Sequence, residues 1–333
     1  GSGTNGGTNG GAGGGSTGGG KPQTGHIPTG LSFKPVLRLV SATPVSGAIT
    51  YSKTDKAYTR YIERAKGNTF ETEAENIRPV RLTNTTVPQV YSALFSKNAE
   101  TVVLQYLKDG DKVQTFSANV IQKGEGQGEL RGKFMDADIT NLVLSPMGDR
   151  ALYTLRDANG GTGLIASLLK DSKTNIFESP LSEWIVSWPK TDTVIFTSKA
   201  GYNTEGLTTS VDISSGREKV VLSGVKGLTT LMSTDGERIL YSRSTDGGLN
   251  TLLYNISAIK NDTFVLDTLP EKCVWSTLSK TIIYCAVPES IPGGNYPDDW
   301  YMGLISFTDE VWKINTSTGE TLYMASLGTE SKM

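Results

Sequence analysis

A nine-residue pattern recurs along the 333-residue chain and constrains its fold more than any other feature. It is clearest from Ser233 to Tyr241, where a Ser-Thr-Asp-Gly turn leads into a short apolar segment that ends on an aromatic residue. Serine, aspartate and glycine favour tight turns, and a short apolar run after such a turn is typical of a β-strand. Each copy of the pattern therefore predicts one β-hairpin.

The copies are spaced by 43 to 53 residues and begin at Thr43, Ser96, Ser145, Trp188, Ser233 and Ser276. A second pair of short strands follows most copies. In the first copy, for example, Thr43 leads to Tyr51, and residues 57–62 and 68–70 are expected to form the second pair. Four strands per repeat of this length make one blade of a β-propeller. We therefore expect an all-β propeller of six four-stranded blades, or of seven if the C-terminus is incomplete.

A Ser-Pro-Asp-Gly hairpin that ends on an aromatic residue resembles the repeat of TolB-type, WD-repeat-like bacterial propellers. Ser145, Pro146 and Gly148 match this motif, with Met147 where aspartate is usual, and the copy at Ser233 has threonine in place of proline. The remaining copies keep less of the motif. The resemblance supports the fold, but propellers serve many functions, so it indicates no particular ligand. The chain has no counterpart of the α/β domain that precedes the propeller in TolB itself.

The N-terminal region differs in composition from the rest of the chain. Residues 1–20 contain 12 glycines and no large apolar side chain, so residues 1–30 are predicted to be a flexible linker or leader before a propeller domain at 31–333. Such a linker indicates attachment to a lipid or transmembrane anchor absent from this chain, or the spacer of an expression tag. From the anchor interpretation we expect a tethered protein of the bacterial periplasm or cell surface.

Composition argues against several function classes. The net charge is -2, with 32 basic and 34 acidic residues, which gives no reason to expect nucleic acid or an anionic membrane as a partner. No apolar run is long enough to predict a membrane span. The one histidine, His26, lies in the leader, so a histidine base or a histidine-based zinc site is not expected in the propeller. We expect a monomer without cofactor or metal.

The most irregular segment is Pro288–Asp309, which lies between the second and third strands of the last repeat. By analogy with other propellers, this loop is expected on the ligand-binding face. Tryptophan and tyrosine often anchor binding surfaces, and paired aspartates could bind a cation or a basic partner. The predicted ligand-binding residues are Asp298, Asp299, Trp300 and Tyr301, with Tyr202 and Arg243 as neighbours. Alternatively, both rings pack the loop onto the ring and the aspartates are solvated.

Three other features have simple structural interpretations. Residues 244–248 resemble a sialidase Asp-box and residues 157–161 resemble the start of a calcium loop, but each lacks later residues of its motif, and hairpin turns explain both. Cys273 and Cys285 are expected nearly opposite each other across a hairpin. They could form a disulfide in an oxidising compartment or be two small buried residues.

Together these features favour a non-enzymatic propeller that presents a protein- or glycan-binding face. No catalytic residue is assigned, since a Gly-x-Ser-x-Gly nucleophile motif is absent from the sequence. The alternative is a carbohydrate-active hydrolase or lyase, which would require carboxylates, tyrosines and arginines to converge at the central funnel.

Overall fold

A computed structural model of the protein describes residues 38–326 except residues 77, 111 and 200. These residues form six four-stranded antiparallel sheets, each built from four consecutive strands, and the sheets follow one another as the blades of a propeller. The expected all-β propeller with six blades is therefore confirmed. The predicted leader, residues 1–30, lies outside the described residues.

Every blade is a meander of four strands. Blades 1 and 2 contain β1 (Val45–Lys53), β2 (Lys56–Glu63), β3 (Thr69–Glu73), β4 (Val80–Arg81), β5 (Val90–Phe95), β6 (Thr101–Lys108), β7 (Lys112–Ile121) and β8 (Glu129–Phe134). Blades 3 and 4 contain β9 (Asn141–Leu144), β10 (Arg150–Asp157), β11 (Gly160–Ser167), β12 (Lys173–Ser179), β13 (Trp184–Lys190), β14 (Thr193–Ser198), β15 (Glu205–Asp212) and β16 (Glu218–Lys226). Blades 5 and 6 contain β17 (Thr229–Met232), β18 (Arg238–Thr245), β19 (Gly248–Asn255), β20 (Lys260–Thr263), β21 (Cys273–Trp275), β22 (Ile282–Pro288), β23 (Asp309–Asn315) and β24 (Thr321–Ser326). The helical segments are a 3-10 helix (Pro270–Lys272) and α1 (Asp298–Tyr301).

The recurring pattern forms the turn between the first and second strands of a blade. At Ser233, the side-chain oxygen accepts a hydrogen bond from the Arg238 amide at 2.9 Å and donates one to Asp235 Oδ1 at 2.6 Å. Gly236 has a φ of +66°, which favours glycine over other residues. Serine, aspartate and glycine therefore each have a defined role in closing this turn.

The strands of the first copy each lie one position earlier in blade 1 than the sequence predicted. Tyr51 lies in β1, the first strand of blade 1, and residues 57–62 lie in the second strand. The turn that closes this hairpin comes after Tyr51, where Thr54 and Asp55 adopt φ values of 48° and 61°. A two-residue turn with both residues at positive φ is of type I′, which usually contains glycine, so Thr54 and Asp55 are a weak sequence signal for it.

Alternation of the strands defines two faces of the propeller. The turn face carries the turns that join first to second strands and third to fourth strands. The crossover face carries the loops between second and third strands and the connections between blades. Within the blades, residues 245–248 and 157–160 form hairpin turns, which confirms both turn interpretations. Cys273 pairs with Cys285 in register, and their Sγ atoms are bonded.

Buried apolar residues join each blade to the next. Ile62 of blade 1, for example, packs in one cluster with Val102 and Leu104 of blade 2. Similar clusters join blades 2 to 3, 3 to 4, 4 to 5 and 5 to 6. Within the described part of the chain, no buried cluster joins blade 6 to blade 1. No described helix is long and apolar enough to cross a membrane.

Candidate functional site

The segment between β22 and β23, residues 289–308, folds over the crossover face, and we call it the insertion. Main-chain and side-chain contacts fix it to two other blades. Ser244 Oγ of blade 5 donates a hydrogen bond to the Tyr296 carbonyl at 2.5 Å, and the Gly294 amide donates one to the Gly247 carbonyl at 3.2 Å. In blade 4, the Tyr202 amide donates a hydrogen bond to Asp298 Oδ2 at 3.0 Å. The insertion is therefore held across three blades.

An apolar cluster beneath the insertion strengthens this attachment. Tyr296 is only 1% exposed and packs with Leu249 of blade 5 and Leu269 of the connection into blade 6. The half-buried ring of Trp300 packs against the same cluster. Trp300 thus has a packing role in this structure, as the alternative interpretation of the sequence expected for it.

Tyr301 lies at the exposed edge of the insertion. The residue is 38% exposed, its hydroxyl donates a hydrogen bond to Glu271, and the Lys199 ammonium lies 5.4 Å from the ring centroid. Partial burial and the neighbouring Glu271 carboxylate raise the pKa of the Tyr301 hydroxyl above its ordinary value. This hydroxyl therefore remains a hydrogen-bond donor at neutral pH.

A depression of about 460 Å³ opens beside Tyr301 on the crossover face. Charged groups of both signs line it. The Glu183 carboxylate lies 3.3 Å from Arg156 Nη1 and 3.7 Å from Lys199 Nζ, and Glu271 lies on the Tyr301 side. This arrangement can form hydrogen bonds and ion pairs with a polar ligand or with the polar rim of a protein partner.

Next to Tyr301, the insertion exposes two apolar side chains. Met302 is 63% exposed and Leu304 is 72% exposed. Exposed apolar residues beside an aromatic anchor are typical of a protein-binding surface. We call Tyr301, Met302 and Leu304 the apolar edge of the insertion.

The two predicted ligand-binding aspartates belong to the insertion, and both accept hydrogen bonds from main-chain amides. Asp298 accepts the hydrogen bond from blade 4, and Asp299 Oδ2 accepts one from the Asn295 amide at 2.8 Å. Both are half-buried. Arg243 is exposed at the end of β18, and none of the hydrogen bonds or ion pairs of the described residues joins it to the insertion.

The sequence reasoning missed Glu183, Lys199 and Glu271, which line the depression together with Tyr301. They come from the start of blade 4, the loop after its second strand, and the connection into blade 6. No shared motif links them, because only the folded ring brings them together. Their places on the crossover face could have been found only from a correct assignment of strands.

Comparison with known proteins supports the fold. No family model matches the chain, and no curated protein matches it. Among solved structures, it is similar to TolB from Acinetobacter baumannii, with a TM-score of 0.53 and 13% identity over 83% of this chain. The fold is a TolB-like β-propeller.

Two other structures are similar to this TolB-like propeller. A puromycin-hydrolyzing peptidase of Mycobacterium tuberculosis matches over 87% of the chain with a TM-score of 0.58 and 11% identity. A functionally unknown protein from Desulfotomaculum acetoxidans matches over 86% with a TM-score of 0.50 and 9% identity, and 87% of that protein is covered. The chain spans 65% of the Acinetobacter TolB and 46% of the peptidase. At these identities the likeness concerns the fold alone.

Proposed function

We propose that this propeller is a non-enzymatic binding module that presents a protein- or glycan-binding crossover face. Of these two ligand classes, we propose that it binds a protein. The exposed apolar edge of the insertion, held beside a charged depression, carries this proposal. Aromatic and apolar anchors surrounded by polar groups are the usual composition of a protein-binding patch.

The attachment of the insertion explains how such a surface would bind with useful affinity. Hydrogen bonds from Ser244 and Tyr202 and the packing of Tyr296 fix its backbone before a partner arrives. A surface that is already ordered loses little conformational entropy on association. The partner would therefore meet a preformed site.

We further propose that the protein is tethered in the periplasm or at the cell surface of a bacterium. The Gly-rich leader provides a linker of the kind that separates an anchor from a domain. The bonded Cys273 and Cys285 pair supports an oxidising compartment. Fractionation of cells that produce the natural full-length protein, with a periplasmic enzyme as marker, tests this location.

Site-specific photo-crosslinking tests the binding surface directly. A photoreactive phenylalanine analogue placed at Met302 should crosslink to a discrete protein in cells. The same analogue at Ile259, which is 78% exposed in the turn between β19 and β20 on the opposite face, provides the matched control. Equal crosslinking from both positions, or from position 259 alone, would exclude the crossover face as the protein-binding surface.

Charge substitution then measures the contribution of the apolar edge. For the partner identified by crosslinking, Met302→Asp and Leu304→Asp should each weaken binding at least about tenfold, because interface anchors contribute about 2 kcal/mol or more. Ile259→Asp should leave the Kd unchanged. If the partner is a glycan instead, the aspartate variants should keep full binding to a glycan array, whereas Lys199→Ala should lose it.

A carbohydrate-active hydrolase or lyase is the second candidate. The observation that favours it is the convergence of Glu183, Glu271 and Tyr301 at the depression, with Arg156 beside Glu183. Incubation with a panel of polysaccharides, followed by measurement of reducing ends and unsaturated products, tests it. Product formation that disappears in both Glu183→Gln and Glu271→Gln would establish this function in place of simple binding.

A further inference from the structure

The inner strand of blade 1 has a free edge. β1 pairs with β2 on one side and is the last strand of its sheet on the other. Because the turn at Thr54 and Asp55 is of type I′, its flanking residues Lys53 and Lys56 form a hydrogen-bonded pair. Hydrogen-bonded and non-bonded pairs alternate along an antiparallel ladder, so every second residue of β1 points its main-chain groups away from β2.

This alternation assigns the free groups. Ala48, Thr50 and Ser52 occupy the non-bonded pairs, so their amides and carbonyls face the free edge. All three residues are exposed. None of the main-chain hydrogen bonds of the described residues uses their free amides or carbonyls outside the β1–β2 ladder. The edge therefore offers three donors and three acceptors in a regular row.

A cavity of about 1240 Å³ lies along this edge. β1 and β5 nearly touch at Gly47, where a Cβ atom would lie 1.9 Å from the Ala93 carbonyl oxygen. Residues 48–53 of β1 line the cavity, and Lys97 of the first turn of blade 2 and Thr277 of the first turn of blade 6 line it as well. Because these turns belong to the turn face, the cavity opens on the side opposite the insertion.

The charge of the cavity is asymmetric. Lys53 and Lys97 both line it, both are exposed, and neither takes part in an ion pair of the described chain. Among the described residues that line the cavity, the one carboxylate is Glu100, which accepts a hydrogen bond from Asn98 Nδ2 at 2.7 Å. The Gln122 amide adds a further polar group. An occupant with negative charge would complement the two lysines.

We propose that this cavity binds an acidic peptide segment of a partner protein, which adds to β1 as a fifth strand of blade 1. Addition of a strand to a sheet edge uses main-chain hydrogen bonds for affinity and side-chain contacts for specificity. Six extended residues span about 20 Å, the length of the edge from residue 48 to residue 53. Aspartate or glutamate of the peptide pairs with Lys53 and Lys97.

The free row of main-chain donors and acceptors on β1 favours a peptide over a glycan as the ligand of this cavity. A second strand matches its repeat of donors and acceptors, whereas the hydroxyls of a sugar have no such repeat. Acidic side chains add attraction that depends on salt, since both lysines are exposed. The site is separate from the proposed protein-binding edge of the insertion, and the two can be tested independently.

A library of acetylated, randomised hexapeptides on beads, probed with the labelled full chain, tests the proposal. The selected peptides should be enriched in aspartate and glutamate. Methylation of alternate main-chain nitrogens in a selected peptide should weaken binding at least about tenfold in one of the two alternations, because it removes the amide hydrogens that the peptide donates to β1. Selection of no peptides, or of peptides that tolerate methylation in both alternations, would overturn strand addition.

Variants of the protein locate the site. Lys53→Glu and Lys97→Glu should each weaken the binding of a selected peptide about fivefold at low salt, and less at high salt. Lys219→Glu, on the outer strand of blade 4, is the matched charge control and should have no effect. Equal weakening by all three variants would indicate a general charge effect and overturn the site.

A further pair of variants tests the main-chain contact. Thr50→Pro removes an amide that faces the cavity without breaking the β1–β2 ladder, and Thr50→Val keeps it. Proline should abolish peptide binding and valine should preserve it, with Tm as the check on folding. If Thr50→Pro unfolds blade 1, the binding of the methylated peptides to the wild-type protein still tests strand addition. Met302→Asp should leave peptide binding unchanged, so failure here and failure of the proposed function remain distinguishable.

Discussion

At the residue scale, single side chains decide whether the insertion is an ordered surface or a loose loop. Asp298 bridges blade 6 to the main chain of blade 4, and Asp299 binds the amide of Asn295 within the insertion. A carboxylate that accepts main-chain hydrogen bonds fixes the local backbone. The aspartates expected to contact a ligand thus contribute first to the shape of the site.

Replacement of Asp298 should loosen the insertion without unfolding the ring. Asp298→Ala removes the acceptor for the Tyr202 amide and should cost about 1.5–3 kcal/mol, because hydrogen bonds to charged groups contribute more than neutral ones. Exchange of the Tyr202 amide hydrogen, followed by NMR, should become faster. Asp298→Asn keeps an acceptor oxygen and should fall between wild type and alanine. Unchanged exchange in the alanine variant would contradict this role.

Mutation of the buried ion pair between Lys272 and Asp309 should change stability more than loss of the Asp298 hydrogen bond. Lys272, before blade 6, pairs with Asp309, the first residue of β23, and both side chains are largely buried. Burial lowers the pKa of Lys272 against the opposing effect of Asp309. Lys272→Met should therefore cost about 2–4 kcal/mol in the free energy of unfolding, since it leaves Asp309 unpaired.

The double variant Lys272→Met with Asp309→Leu is the control for this pair. It should recover most of the loss, because two apolar side chains need no desolvated charge. Urea unfolding of both variants measures the difference. A double variant no more stable than Lys272→Met would contradict this explanation, because the loss would then not come from an unpaired Asp309.

At the scale of elements, the local chemistry of a turn decided what the sequence could predict. The turn at Ser233 is closed by side chains within five residues, so its pattern is visible in the sequence. The turn at Thr54 and Asp55 uses positive φ angles at residues other than glycine, and its strands were misassigned. The candidate site was predicted in part. The sequence identified the insertion, but it did not identify Lys199 and Glu271, which reach the insertion only through tertiary contacts.

The hairpin of β21 and β22 should depend on its disulfide. Cys273 and Cys285 are separated by 12 residues, and a loop of this size contributes about 3 kcal/mol through the entropy of the unfolded chain. Replacement of both cysteines by alanine should lower the free energy of unfolding by about 2–3 kcal/mol. A reducing agent should destabilise the wild type and leave the double variant unchanged. Equal sensitivity of both proteins would contradict this contribution.

At the scale of the whole molecule, stability is expected to vary around the ring. Each of the five successive pairs of blades shares a buried apolar cluster. Repeat structures gain much of their stability from such contacts between neighbours, so a blade with two buried neighbours should be the harder to open. Blades 1 and 6 each share a cluster with one other blade in the described chain.

Hydrogen exchange should reveal this gradient. Neither β1 nor β24 contains a buried residue, whereas four of the eight residues of β10 and five of the six residues of β14 are buried. Local opening needs less free energy where few apolar contacts are broken, so amides of blades 1 and 6 should exchange before those of blades 3 and 4. Mass spectrometry of peptides from the exchanging protein measures the order. A selected acidic peptide should slow exchange in β1 and leave β24 unchanged, because it would satisfy the free edge of blade 1 alone. Uniform exchange around the ring would instead show that the six blades open as one cooperative unit.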